Sequence, residues 1–121
     1  MNGHKIMVID DEDIVGKMIK SSFGLDGYTV EAFVDAEPAL ERLREEKFDV
    51  VITDLKMKNV DGMEVLNTIK KESPEIKVIM ITAYASMDAA IEAFRKSADD
   101  FFAKPVRITD LKACVKKLLN E

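Results

Sequence analysis

One pattern recurs five times along the chain: a short apolar run, followed by a longer segment whose apolar residues have helical spacing. The runs are Lys5–Ile9, Tyr28–Phe33, Val50–Thr53, Val78–Thr82 and Phe101–Ala103. Several are apolar at every position, which is typical of parallel strands that are covered on both faces. Strands that alternate with helices predict a layered α/β fold with right-handed crossovers.

The five intervening segments each carry apolar side chains at helical spacing, which predicts an inward face for each helix. These faces are Ile14, Met18, Ile19 and Phe23; Ala36, Leu40 and Leu43; Val65, Leu66 and Ile69; Ala90, Ile91 and Phe94; and Leu111, Val115 and Leu118. Two further signals mark helix starts, namely Asp61 and the pair Thr109–Asp110. Gly27 and Pro74 are expected to end the helices before them.

Length and composition narrow the classes of function. The 121 residues predict one domain, 1–121. No apolar run approaches the ~18 residues of a membrane span, and Ile6–Ile9 is too short for a signal peptide. A lone cysteine, Cys114, favours a reducing compartment such as the cytoplasm. The net charge of −5 argues against direct binding of nucleic acid by this domain.

Reactive side chains stand where four of the predicted strands end. Asp10 and Asp11 follow the first strand, Asp54 ends the third, Thr82 ends the fourth and Lys104 follows the fifth. An open α/β sheet has its ligand crevice outside the carboxyl ends of its strands. We therefore expect these five side chains to meet at one edge.

The chemistry of such a cluster is that of phosphoryl transfer. Crowded carboxylates repel one another unless a cation neutralises them, and Mg²⁺ prefers oxygen ligands of this kind. A carboxylate beside that ion can attack phosphorus and form an acyl phosphate. A lysine and a hydroxyl then stabilise the charge on the phosphoryl oxygens.

These residues make the chain resemble the receiver domain of bacterial two-component response regulators. The matching motifs, spread over residues 5 to 119, are Val8–Glu12, Gly27–Val30, Asp49–Asp54, Met57 with Asp61–Gly62, Ile81–Ala83 and Asp100–Pro105. The resemblance implies a single doubly wound, five-stranded parallel sheet of order 2-1-3-4-5 with five helices, the flavodoxin-like receiver fold.

The resemblance also implies a role for each residue around the acceptor. Asp54 is the expected phosphoacceptor, taking a phosphoryl group from a sensor histidine kinase or a small donor such as acetyl phosphate. Asp11, Asp54 and the backbone carbonyl of Lys56 are the expected Mg²⁺ ligands, and Asp10 is expected to act mostly through water. The domain then catalyses only its own phosphorylation and dephosphorylation, and is not otherwise an enzyme.

Three further positions match the expected response to phosphorylation. Thr82 and Lys104 would hold the phosphoryl oxygens, and Phe101 matches the aromatic residue that swings inward when Thr82 moves. The bond Lys104–Pro105 matches one that is usually cis. The expected output is a switch of the fourth helix, fifth strand and fifth helix, leading to a phosphorylation-dependent homodimer or to control of a partner protein or output domain.

The chain departs from the family pattern at several positions. Lys58 replaces a common proline, which predicts a more mobile loop after Asp54. Ser97 replaces a usual glycine, and a positive φ there would cost a serine more than a glycine. Phe101 lacks the hydroxyl of the commoner tyrosine. Lys56 and Tyr84 take the variable positions that tune hydrolysis of the acyl phosphate, and a bulky Tyr84 predicts slower dephosphorylation.

Three alternatives remain at this point. A haloacid-dehalogenase-like Mg²⁺ phosphatase shares the residue types, but it would place a D-x-D pair after the first strand. A flavodoxin-like nucleotide binder would need a phosphate-cradling first loop, where this chain has Asp10–Asp13. A receiver that is never phosphorylated and only docks is the third.

The chain is either a free-standing regulator or the N-terminal part of a longer one, and Thr82–Ser86 resembles receivers of transcription-activating regulators.

Overall fold

The computed structural model describes residues 3–58, 60–83 and 86–121. In this part of the chain, five strands alternate with five helices. They are β1 (Lys5–Ile9), α1 (Asp13–Gly24), β2 (Thr29–Phe33), α2 (Ala36–Glu45), β3 (Val50–Asp54), α3 (Gly62–Glu72), β4 (Lys77–Thr82), α4 (Met87–Arg95), β5 (Asp100–Ala103) and α5 (Ile108–Leu118). No helix among these residues has the length and apolarity needed to cross a membrane.

The strands form one parallel sheet in the order β2-β1-β3-β4-β5, which confirms the predicted fold. Ile9 pairs with Thr53 across β1 and β3, and Asp54 pairs with Ile81 across β3 and β4. Because β1 and β3 are neighbours in this register, the residues that leave their carboxyl ends lie side by side. This topology brings Asp10 close to Asp54.

Alternate residues of each strand supply two separate cores. Ile6 and Val8 of β1 face the core formed with α1 and α5, whereas Met7 and Ile9 face the core formed with α2, α3 and α4. Both faces of the central strands are therefore covered, which explains why these runs are apolar at every position. The predicted inward faces of α3 and α5 are confirmed at Val65, Leu66, Ile69, Leu111 and Val115, all of which are buried.

The predicted inward face of α1 was partly wrong. Ile19 and Phe23 are buried, but Ile14 is 67% exposed and Met18 is also exposed. The reason is a close approach of α1 to the sheet at Gly16, where an added Cβ would lie 2.8 Å from the Cβ of Ala32. This contact turns the face that contains Gly16, Ile19 and Phe23 inward and leaves Ile14 and Met18 outside.

The predicted inward face of α4 was also wrong. Ile91 is exposed and Phe94 is 51% exposed, and Ala93 is the buried residue of this helix. The helix thus packs against the sheet through its small alanine side, which allows a closer approach than Ile91 or Phe94 would. Its large apolar side chains face away from the core.

The predicted turn and cap residues agree with the structure at Asp61 and Gly27 but not at the start of α5. Asp61 precedes α3 as predicted, and its Oδ1 accepts a hydrogen bond of 2.8 Å from the backbone N–H of Met63. Gly27 has the positive φ (90°) that only glycine adopts easily. However, α5 begins at Ile108, ahead of Thr109 and Asp110, because packing of the half-buried Ile108 against the core outweighs the cap signal.

Candidate functional site

Three polar side chains are buried at the carboxyl edge of the sheet. Asp10 follows β1 and is 1% exposed, Asp54 ends β3 and is 5% exposed, and Thr82 ends β4 and is fully buried. The apolar residues that precede Asp10, Asp54 and Thr82 are buried in the core. Because this fixes the strands, the three polar side chains cannot move out into solvent. A buried carboxylate is costly unless it is paired with a cation or hydrogen-bonded.

Lys104 pairs with these carboxylates from the end of β5. Its Nζ lies 2.8 Å from Asp10 Oδ2, 2.9 Å from Glu12 Oε1 and 3.1 Å from Asp54 Oδ2. Burial alone would lower the pKa of Lys104, but the three carboxylates raise it well above its usual range. The lysine is therefore a fixed positive charge at the centre of an acidic site.

Asp10 is the most deeply buried acid of the cluster. Burial raises the pKa of its carboxyl above the ordinary value, against the opposing attraction of Lys104 and a hydrogen bond from the backbone N–H of Glu12. That N–H donates to Asp10 Oδ1 over 2.9 Å. Asp10 Oδ2 is buried without a well-aligned hydrogen bond, so its contact with Lys104 is an ion pair only.

The loop after Asp54 is held close to the start of α3. The backbone N–H of Lys56 donates to Asp54 Oδ1 over 3.2 Å, and the backbone N–H of Gly62 donates to the carbonyl oxygen of Leu55 over 2.6 Å. A Cβ on Gly62 would collide with the backbone oxygens of both Asp54 and Leu55. A glycine at this position is what allows α3 to pack directly behind the loop that follows Asp54.

Some predicted site residues lie apart from this cluster. Asp11 is exposed, and its Oδ2 accepts a hydrogen bond of 2.9 Å from the backbone N–H of Lys58. Phe101 is half-buried and packs against the core on the α2–α4 side of the sheet. The bond Lys104–Pro105 is cis, as the resemblance implied, and Ser97 has a φ of 74°. Tyr84 lies outside the described residues.

Glu12 was not predicted as a site residue, but the structure places it in the cluster. The available signal was its position in the acidic run after β1. Asp10 and Asp11 were predicted from their position directly after the first strand, and nothing in the local sequence indicated which side chains of the run turn toward Lys104. The long-range contact with Lys104 distinguishes Glu12 from Asp11 and Asp13.

The residues present fit a hard divalent cation. One carboxylate oxygen from each of Asp10, Glu12 and Asp54 lies within 4.8 Å of the others. Oxygen ligands of this charge suit Mg²⁺, which commonly keeps several waters besides one or two carboxylates. The buried Asp10 Oδ2 in particular has unused capacity to accept a ligand bond.

Comparison with known proteins agrees with this geometry. The family model described as response regulator receiver domain matches residues 6–116. Regulatory protein AtoC of Escherichia coli is 32% identical over 117 residues, which cover 97% of this chain and 25% of AtoC. The chain therefore spans about a quarter of the length of that relative.

Two solved structures extend the comparison. A CheY-like response regulator receiver domain protein from Methanospirillum hungatei superimposes with a TM-score of 0.94 at 29% identity, covering 98% of this chain and 95% of that one. A response regulator from Burkholderia pseudomallei, described with a phosphorylated aspartic acid, a calcium ion and citrate, gives a TM-score of 0.87 at 26% identity, covering 92% and 65%.

Receiver domains bind Mg²⁺ at an acidic pocket, and the cluster of Asp10, Glu12 and Asp54 has the position and composition of such a pocket. The family match favours a receiver over the phosphatase and nucleotide-binding alternatives, which the sequence alone had left open. Fold, strand order, cis peptide and acidic edge agree with it. The chain belongs to the response regulator receiver domain family.

Proposed function

We propose that this chain is a phosphoacceptor receiver domain, in which Asp54 takes a phosphoryl group from a sensor histidine kinase. The observation that carries the proposal is the ion-paired cluster of Asp10, Asp54 and Lys104. A carboxylate that is 5% exposed, with one oxygen on a lysine and the other on a backbone N–H, is held in one orientation at the rim of the sheet. Such orientation is what an in-line attack on phosphorus needs.

In the proposed reaction, an oxygen of Asp54 forms a bond to phosphorus while the bond from phosphorus to the donor breaks and its electron pair leaves with the donor. Lys104 neutralises charge on the phosphoryl oxygens, and the Thr82 hydroxyl donates a hydrogen bond to them. Asp10, Asp11, Asp54 and the carbonyl of Lys56 would hold Mg²⁺, which supplies further neutralisation of the same oxygens.

The proposed response to phosphorylation is a population shift of α4, β5 and α5. Helix α4 is weakly anchored, since Ala93 is its buried residue and Met87, Ile91 and Phe94 are exposed. A cleft of about 500 Å³ lies between this helix and the loop after Asp54, lined partly by Met57, Ala89 and Glu92. A few kcal/mol of differential interaction is enough to repopulate such an element.

The same exposed face suggests the output. Apolar side chains of α4 that do not pack inward are available to a second copy of the domain, to a partner protein or to an output domain. Because the chain covers 25% of AtoC, we propose that it is the receiver part of a longer cytoplasmic transcription regulator. DNA binding would then belong to another part of that protein.

The direct test is incubation with Mg²⁺ and acetyl phosphate, followed by intact mass spectrometry. We expect one added phosphoryl group on the wild type and none on Asp54→Ala. Lys104→Ala should still bind Mg²⁺ but should uncouple phosphorylation from dimerisation or partner binding. Turnover of a phosphate ester that survives Asp54→Ala would contradict the proposal and favour a phosphatase. Failure of the wild type to gain the group would favour a domain that only docks.

A further inference from the structure

Glu12 occupies the N-cap of α1, but its side chain does not cap that helix. With φ −89° and ψ 102° its backbone has ordinary N-cap geometry, yet its carboxylate accepts no hydrogen bond from the first turn. Ser, Thr, Asp or Asn at this position commonly accepts one, whereas the longer Glu side chain can extend elsewhere. Instead, Glu12 Oε1 reaches across the site and lies 2.9 Å from Nζ of Lys104, 92 residues away in the chain.

The three acidic partners of Lys104 are not equivalent. Asp10 and Asp54 are buried, and each has its other oxygen on a backbone N–H, so both are fixed in place. The side chain of Glu12 is 61% exposed and longer by one methylene. Three carboxylate oxygens lie within 3.1 Å of the ammonium, those of Glu12 and Asp54 in hydrogen bonds and that of Asp10 in an ion pair. A new acceptor has to compete with these partners, and Glu12, the exposed one, is the partner that can leave.

We propose that Glu12 is a positioning residue that holds Lys104 in the unphosphorylated domain and is displaced by the phosphoryl group on Asp54. This inference rests on the proposed function of Asp54 and adds to it the regulation of the same site. A phosphoryl group brings about −1.5 to −2 charges and strong acceptor oxygens, so it outcompetes a solvent-screened carboxylate for the ammonium. Glu12 therefore opposes phosphorylation, because its contact with Lys104 has to be broken before Lys104 can bind the phosphoryl group.

The size of the effect follows from the exposure of Glu12. Exposed ion pairs contribute little, and the upper part of their range corresponds to about a two- to fivefold change in an equilibrium or rate. We expect the effect in the maximal rate of phosphorylation, because the contact restrains Lys104 after the donor has bound. A simple change in net charge would instead act on the donor concentration that gives half the maximal rate.

The test compares Glu12→Gln, Glu12→Asp and a matched control, Asp13→Asn. Glu12→Gln keeps the length and loses the charge, whereas Glu12→Asp keeps the charge and is too short to reach Lys104. Asp13 is the next acid in the chain and pairs with Lys17 over 3.2 Å instead. With acetyl phosphate and Mg²⁺, both Glu12 variants should raise the maximal rate about two- to fivefold, and Asp13→Asn should leave it unchanged.

A second readout needs no phosphorylation. The side-chain ¹⁵N signal of Lys104 and the exchange of its N–H protons with solvent report the contact directly, and both Glu12 variants should speed that exchange. The inference is overturned if Glu12→Asp matches the wild type, if Asp13→Asn matches Glu12→Gln, or if Glu12→Gln weakens Mg²⁺ binding tenfold while the Lys104 signal stays unchanged.

The same experiment separates this inference from the proposed function. If the wild type gains no phosphoryl group on Asp54, the proposed function fails and this inference fails with it. If the wild type is phosphorylated normally and the Glu12 variants behave like it in rate and in Lys104 exchange, this inference alone is overturned.

Discussion

Ser97 has a backbone conformation that is unfavourable for a residue with a side chain. It follows α4 with a φ of 74°, and its N–H and that of Ala98 donate to the carbonyl oxygens of Phe94 and Ala93. This is the Schellman arrangement, in which glycine is the usual residue at the left-handed position. The resemblance pointed to this position, because the family usually has glycine there, and the structure shows the positive φ that a serine adopts at a higher cost.

We expect Ser97→Gly to raise the free energy of unfolding by about 0.5–1 kcal/mol, because the left-handed conformation costs an L-residue more than the extra chain entropy costs glycine. Denaturant titration at neutral pH measures this. Asn120→Gly is the matched control: Asn120 has a φ of 60° after α5, but asparagine tolerates this region better, so the gain should be smaller. Equal or lower stability of Ser97→Gly would contradict the strain argument.

Cys114 is a buried free thiol on α5. Burial raises its pKa to about 12, and donation of the S–H to Asp100 Oδ2 over 3.2 Å adds to this. The native state therefore favours the neutral thiol. Its contribution to stability is complete below the ordinary thiol pKa of about 8.5 and is lost as the pH rises toward about 12.

We expect the native protein to react with a thiol reagent at pH 8 far more slowly than the unfolded chain, because little thiolate forms. Cys114 is the sole cysteine of the sequence, so the absorbance of the released product reports it alone. Asp100→Ala removes the acceptor of the S–H hydrogen bond together with its negative charge, and should speed the reaction of Cys114 with the reagent. A native rate equal to that of the unfolded chain would show that the thiol is neither buried nor bonded.

At the level of elements, strands were easier to predict than helix faces. A strand covered on both sides is apolar at each position, so β1, β3 and β4 were recognisable without knowing their partners. A helix has several faces with apolar residues, and in α1 and α4 the small residues Gly16 and Ala93 lie inward. The periodicity of large apolar side chains predicts the inward face of a helix. It cannot reveal that a helix packed closely on the sheet turns its small residues inward instead.

The exposure of α4 gives a prediction about stability. Phe94→Ala should lower the free energy of unfolding by about 1–1.5 kcal/mol, since Phe94 is 51% exposed and only about half of its apolar surface is removed from water on folding. Phe23→Ala, at a fully buried position of α1, should cost about 3–5 kcal/mol. Thermal or denaturant unfolding measures both. A large cost at Phe94 would mean that α4 packs with its large side chains inward, as the periodicity had suggested.

If α4 is an output surface, Phe94→Ala should also weaken a phosphorylation-dependent dimer. Phosphorylation of Asp54 should proceed at the wild-type rate, because Phe94 is far along the helix from the acidic edge. Analytical ultracentrifugation with and without acetyl phosphate measures the dimer. An unchanged dimer would assign the contact to β5 or α5 instead.

At the scale of the whole molecule, the acids clustered at the carboxyl edge of the sheet lower the stability of the fold, and we interpret them as retained because they form a site. Three carboxylates share one lysine, and the fold buries two of them. The sequence predicted that Asp10, Asp54 and Lys104 would meet, since parallel strands end at one edge. Which of the neighbouring acids turns toward Lys104 was not predictable, because that choice depends on the loop after β3 and on β5.

We expect Asp10→Asn to stabilise the metal-free domain at neutral pH, because burial disfavours the charged form of Asp10 in the folded state. Burial raises the pKa of Asp10 in the folded state, so the stability linked to its protonation is present at low pH and lost as the pH rises through that raised value. The advantage of Asp10→Asn should therefore shrink as the pH falls from 7 toward the pKa of the free side chain.

Mg²⁺ should make the wild type more stable than Asp10→Asn. At about ten times the dissociation constant it should stabilise the wild type by about 1.4 kcal/mol, a rise of several degrees in Tm, and should affect Asp10→Asn much less. Thermal unfolding with and without Mg²⁺, with Asp13→Asn as the charge-matched control, measures this. Asp13 pairs with Lys17 and not with Lys104, so Asp13→Asn should respond to Mg²⁺ like the wild type. An equal response of all three proteins would mean that the cation does not bind at Asp10, and the acidic edge would then be a cost without a ligand to offset it.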